Sequence, residues 1–273
     1  MTTTKSHISL GDLTFDVAVG GPDDGAPVLL LHGFPHNSAS FDGVVGLLHE
    51  AGLRTITFDQ RGYSPGARPA AVDDYGIDHL VADALGVLDA LGVQRCLLVG
   101  HDWGGMIGWQ LAARHPDRFT GYVAVSTGHA SAVANALESG DDQREKSSYI
   151  KFFIADGAEG KLLARNAVLL RRTVPREAIP PLQEPGALTA ALNWYRATFT
   201  GDIADHLATG TVTIPTTMVW SDGDTALGRE QAQGSAEFVD ADYRFVELAG
   251  VDHWVPENAP EALAAAIIER AGG

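Results

Sequence analysis

The chain is predicted to be an α/β protein: a mostly parallel central sheet flanked by helices, with a helical lid inserted between two of its strands. Three observations carry this. Short apolar runs alternate with segments of helical spacing through the first half of the chain. A glycine-rich turn, Gly100-His101-Asp102-Trp103-Gly104-Gly105, joins one such run to a helix. Strand candidates then vanish from 129 to 207 and return at 216.

Taken in order, residues 6–20 alternate as two antiparallel strands around Gly11-Asp12, and 28–31 is a fully apolar run ending at His32-Gly33. Helical spacing runs from about Ser40 to Ala51-Gly52. Residues 54–58 form the next strand, followed by the loop 59–66 and a long helical pattern over 77–91 closed by Gly92. The run 96–99 leads into a helix at 103–114, and 121–125 is the next strand, so this half reads as parallel βαβ units. From 129 to 207, helical segments with charged faces are punctuated by Pro175, Pro180, Pro181 and Pro185. Strands return at 216–220 and 243–248, with helices expected over 229–239 and 260–270. The implied organisation is a core of 1–128 and 208–273 around a cap of 129–207, with the active site between them.

Composition narrows the function. A chain of 273 residues with 45% hydrophobic content can bury a large core. Its 19 Lys and Arg against 35 Asp and Glu give a formal charge of −16, which repels nucleic-acid backbones and anionic membrane surfaces. No apolar run is long enough to span a bilayer, and the opening residues lack a signal core, so a cytoplasmic location is the expectation. The single cysteine, Cys96, lies in an apolar strand and reads as packing.

The turn at 100–105 carries the chemistry. Its small residues let strand and helix approach closely, so the side chain at 102 is thrust into a pocket above the sheet. An aspartate there, at a helix start where the macrodipole keeps it ionised, can attack carbon. The alternative for Asp102 is an ordinary N-cap. An attacking carboxylate forms an ester with the protein, so turnover needs a base to activate water. His253, just beyond the last strand, is the candidate base. Asp224, at a strand end in Trp220-Ser-Asp-Gly-Asp, is its candidate acid partner, with Asp222 and Asp252 as nearby rivals. His49, His79, His115 and His206 have no convergent partners in the pattern and read as structural. No HExxH string occurs and one cysteine cannot form a thiolate cluster, so neither a metal nor another cofactor is expected. Backbone amides of Phe34, after the strand ending at His32, and of Trp103 are placed to cradle an oxyanion. Gly62-Tyr63-Ser64-Pro65-Gly66 matches the serine-esterase pattern, but Pro65 has no amide to offer and no helix follows.

These strings together resemble the soluble epoxide hydrolases of the α/β-hydrolase fold: HGFP at 32–35, DQRGY at 59–63, GHDWGG at 100–105, SSYIKFF at 147–153, LNWYR at 192–196, WSDGD at 220–224 and DHW at 252–254. The resemblance covers nearly the whole chain. It implies Asp102 as nucleophile, His253 with Asp224 as the water-activating pair, and Tyr149 and Tyr195 as lid residues that bind and protonate the epoxide oxygen. From spacing alone both tyrosines read as lid-core aromatics. It also implies a cis peptide before Pro35 and a pocket formed by His32, Pro35, Trp103, Phe153 and Trp254. Ser221 departs from the glycine usual in that family. The implied partners are a small epoxide and water, and a homodimer is compatible with the pattern. Two alternatives stand beside this reading. A haloalkane dehalogenase shares the Asp nucleophile, and the Trp103 indole N–H would suit its halide, but Phe34 stands where that family resemblance predicts asparagine. A ligand-binding protein on a retired hydrolase fold would lack a triad member, and all three are present.

Overall fold

The computed structural model of the chain describes residues 3–200 and 208–272; His206 and the expected cap boundary at 207 fall outside them. Strands β1 (Thr4–Leu10) and β2 (Leu13–Gly20) form the expected antiparallel pair. Strands β3 (Ala26–Leu31), β4 (Leu53–Phe58), β5 (Cys96–His101), β6 (Phe119–Val125), β7 (Thr216–Ser221) and β8 (Tyr243–Leu248) complete an eight-stranded sheet in the order β1-β2-β4-β3-β5-β6-β7-β8. All pairings from β4 through β8 are parallel, and β2 meets β4 antiparallel. That last pairing places β4 between β2 and β3, an adjacency that alternation along the chain does not encode.

The buried parallel strands sort their side chains by the two-residue period of a pleat. Val28, Leu30, Leu97 and Val99 face one side, where Val44 and Leu48 of the helix Asp42–Glu50 and Leu263 and Ile267 of the helix Pro260–Ala271 cover them. Leu29, Leu31 and Leu98 face the other, against Leu80 and Val81 of the helix Ile77–Ala90 and Ile107 and Leu111 of the helix Trp103–Arg114. Helices on both faces of a parallel sheet leave the carboxyl ends of its strands as the natural crevice.

Between β6 and β7 the described residues hold helices and turns, from Ala130–Ser139 to Ala187–Phe199, as expected of the cap. The helix expected over 229–239 is shorter. It ends as Arg229–Gly234, a 3-10 turn Ser235–Phe238 follows, and Val239 is drawn into a parallel bridge with Val212. A tertiary pairing thus overrides the local helical period there.

Candidate active site

Asp102 occupies the sharp turn between β5 and the helix Trp103–Arg114, with φ 53° and ψ −117°. A non-glycine residue in that region is strained, and such strain persists only where its surroundings enforce it. Here the enforcement is steric. A Cβ on Gly104 would collide with the Leu31 carbonyl of β3, and one on Gly100 with the carbonyl of Gly104. Glycine at both positions lets the helix start lie directly on the sheet. Asp102 stands at the N-cap position, yet its side chain makes no capping bond. It turns instead towards β3, where Oδ1 accepts from the Phe34 amide at 2.7 Å.

His253, in the loop after β8, brings Nε2 to 3.4 Å from Asp102 Oδ2 and Nδ1 to 2.8 Å from Asp224 Oδ2. All three side chains are buried. Asp224 is held by its own loop, since Oδ1 accepts from the amides of Ala226 and Leu227, each at 2.8 Å. Burial would raise its pKa, but the charge and hydrogen bond of His253 and those two amides hold it below the usual carboxylate range. Burial would likewise lower His253; the Asp224 carboxylate and contact with Asp102 outweigh it and raise the imidazole well above its ordinary value. The rival acids are occupied elsewhere on the surface: Asp222 accepts from the Gly250 amide, and Asp252 from Trp254 N and Asn258 Nδ2. Ser221, the departure from the resembled pattern, donates to the Asp252 carbonyl at 2.8 Å and so braces the loop before His253.

Tyr149, on the helix Tyr149–Phe153, and Tyr195, on Ala187–Phe199, close over Asp102 with ring centres 6.2 Å apart. Burial is the main cause, and the Asp102 charge a further one, that pushes both phenols well above their ordinary pKa, so both carry a proton at neutral pH. The Trp103 ring packs edge to face against Tyr195, with ring centres 5.0 Å apart.

A cavity of about 360 Å³ opens above these groups, lined by Asp102, Phe34, Tyr149, Tyr195, His253, Phe153 and Trp254, with Phe152, Leu162 and Val174 adding apolar wall. Trp103 lines a smaller adjoining space of about 70 Å³. Two expected pocket residues do not reach the cavity. His32 is fully buried behind it, with Nε2 accepting from the Gln60 amide and Nδ1 donating to the Gly33 carbonyl, so it shapes the loop rather than the pocket. Pro35 follows the cis Phe34-Pro35 bond and faces a separate crevice near Gly62 and Leu182. Ser64 is consumed structurally, donating to the Asp59 carbonyl and accepting from the Asp16 amide.

One contact escaped sequence reading. His101 is buried, which drops its pKa to about 4, and the neutral ring's Nε2 donates to the His253 carbonyl at 2.8 Å. Its position beside Asp102 was the only available signal.

A buried carboxylate at a strand-to-helix turn, a histidine–aspartate pair and an amide donor, set at the carboxyl ends of a parallel sheet, define a hydrolase of the α/β type. Residues 26–149 match the family model described as alpha/beta hydrolase fold. The chain is 31% identical over 277 residues, 96% of each sequence, to the AB hydrolase superfamily protein YfhM of Bacillus subtilis, and it belongs to that superfamily. It is 29% identical over 298 residues, 93% of this chain and 92% of the other, to Epoxide hydrolase A of Mycobacterium tuberculosis. A solved structure from a study of novel epoxide hydrolases in metagenomes from hot environments superposes with a TM-score of 0.88 at 27% identity, covering 100% of both chains.

Proposed function

We propose that the protein hydrolyses an epoxide to a vicinal diol through an ester on Asp102. The observation that carries this reading is the pair of buried, protonated phenols, Tyr149 and Tyr195, facing a carboxylate across one apolar cavity. An epoxide oxygen leaving as alkoxide needs a proton donor, and two phenols on the far side of the ring from the attacking oxygen supply it.

In the first step Asp102 attacks a ring carbon, the C–O bond breaks, and the oxygen takes a proton from a tyrosine. In the second, His253 removes a proton from water, whose oxygen attacks the ester carbonyl carbon of Asp102. The Phe34 amide, already 2.7 Å from Oδ1, then faces the developing oxyanion, with the Trp103 amide proposed as its companion. Collapse of that intermediate expels the diol oxygen, which takes the proton of the hydroxyl that water added and so restores the carboxylate. The tyrosinate left by the first step recovers its proton from the His253 imidazolium before water is activated. Trp254 and Phe153 supply apolar wall for the substrate, and the division into a core (1–128, 208–273) and a cap (129–207) lets the cap contribute both acids.

Against the dehalogenase reading stands Phe34 on the cavity wall, whose side chain has no N–H to offer a departing halide. The distinguishing experiment pairs His253→Gln with a panel of epoxides and haloalkanes. The expected result is a stable mass adduct on the Asp102 peptide from epoxides and none from haloalkanes. Adducts from haloalkanes alone, or none from saturating epoxide, overturn the assignment.

A further inference from the structure

His36 lies two residues beyond the Phe34 amide, and Glu257 four residues beyond His253, on the one-turn helix Val255–Asn258. Their side chains meet below the surface, His36 Nε2 3.3 Å from Glu257 Oε1, with side-chain exposures of 9% and 21%. Neither His36 Nε2 nor either Glu257 oxygen has a hydrogen-bond partner among the described residues. Buried polar atoms are almost always paired, so an unpartnered imidazole nitrogen 3.3 Å from an unpartnered carboxyl oxygen points to a contact that the protein uses. Trp254 packs against this contact and the active site alike, its ring centre 6.0 Å from that of His36 and 4.9 Å from that of His253. The pair lines a cavity of about 730 Å³ that shares Arg172, Val174 and Trp254 with the substrate cavity.

We propose that His36 and Glu257 are a positioning pair: their atoms, 3.3 Å apart but not aligned for a hydrogen bond, are brought into one by a small turn of the imidazole, its direction reversing with protonation, and it ties the loop carrying the Phe34 amide to the loop carrying His253. The two loops must keep a fixed separation during ester hydrolysis, because one stabilises the oxyanion while the other activates water on the same carbonyl. No motif on either loop includes these two residues. The inference rests on the Asp102 ester reading for its kinetic consequence, though not for its chemistry.

That chemistry follows from burial. Desolvation lowers His36 to about 4 and raises Glu257 to about 7. Other charged or titratable groups facing the pair are His32, Asp252 and His253 from the core loops and Glu177 from the segment between β6 and β7, with Asp42, Arg171 and Arg172 on the cavity wall. Below the Glu257 transition the carboxyl is protonated and donates to Nε2, leaving the imidazole proton on Nδ1. Above it the carboxylate accepts from Nε2–H, so the imidazole changes tautomer while staying neutral. The contact survives in both states.

Two measurements test this. Nitrogen NMR of labelled histidines, with His36→Gln supplying the assignment, should show His36 Nε2 change from acceptor-type to protonated near neutral pH, and Glu257→Gln should abolish the change. A His36 that is doubly protonated between its own transition at about 4 and that of Glu257 at about 7, or shows no tautomer change, overturns the proposal without touching the Asp102 reading. In single-turnover kinetics, Glu257→Leu should slow ester hydrolysis roughly tenfold and ester formation less than about threefold, while Glu257→Gln stays within about threefold on both steps. Equal effects on both steps, or a Gln variant as impaired as Leu, contradict positioning. The double variant His36→Leu/Glu257→Leu removes the stranded polar atoms and provides a folded control if either single change destabilises the chain. It should hydrolyse the ester as slowly as Glu257→Leu. Absence of any ester in the unchanged protein would strike at the reading of Asp102, and the NMR result would still decide the pair.

Discussion

At the scale of single residues, His253 has to serve two states. In the resting site its imidazole is raised by Asp224 and by the Asp102 carboxylate. In the proposed mechanism, ester formation neutralises Asp102 and withdraws that part of the support, so the pKa of His253 falls just when a neutral base is needed. The ester-hydrolysis rate should therefore decline on acidification through a lower pKa than His253 shows by NMR in the resting protein; a higher one contradicts the scheme. The phenols provide a second test. Tyr149→Phe and Tyr195→Phe should each slow ester formation, the remaining hydroxyl partly compensating, and the double change should cost about a hundredfold or more. Unaltered ester formation in the double variant removes them as acids. Much of this site was readable beforehand because Asp102 and His253 sit in short local motifs. Separation in the chain hid the rest: nothing local predicts that the Trp103 ring packs on Tyr195, that His101 bonds the His253 carbonyl, or that His36 meets Glu257. His32 reads as a pocket residue because it adjoins the pocket in sequence, whereas the Gln60 amide holds it behind the loop.

At the scale of elements, the strained turn depends on the helix Trp103–Arg114 lying against β3. Gly104→Ala puts a methyl group into the Leu31 carbonyl, and such overpacking costs about 1–3 kcal/mol, read as a lower midpoint in denaturant and a displaced Asp102. An undiminished midpoint would show that the helix can lift away cheaply. The loop after β4 is anchored differently. Arg61 grips the Asp83 carboxylate of the helix Ile77–Ala90 with two 2.7 Å hydrogen bonds, and both side chains are largely buried. Asp83→Ala leaves a buried guanidinium unpaired and should destabilise by about 3–5 kcal/mol, with Asp83→Asn recovering part of that. Most of the elements were legible from the apolar periods of β3 to β8 and their covering helices. The antiparallel joining of β2 to β4 was not, because it is settled by pairing between segments separated by a helix. The shortened helix at 229–234 gives way to the Val212–Val239 bridge for the same reason.

At the scale of the whole molecule, the formal charge of −16 opposes compaction by self-repulsion. Raising sodium chloride from low to physiological concentration should therefore raise the melting temperature, and a fall would mean that the surface ion pairs outweigh the repulsion. The same charge suits a neutral apolar substrate better than an anionic one. The groups of the proposed site come from separate elements: the ends of β5, β7 and β8 carry Asp102, Asp224 and His253, and helices between β6 and β7 place Tyr149 and Tyr195 over the same cavity. The account stands on the bond made to Asp102, and a single turnover in heavy-oxygen water, followed by mass analysis of the diol and of the peptide carrying Asp102, examines it most directly. It predicts an unlabelled diol and one heavy oxygen in the Asp102 carboxylate; a labelled diol over an unlabelled peptide in that first turnover would contradict it.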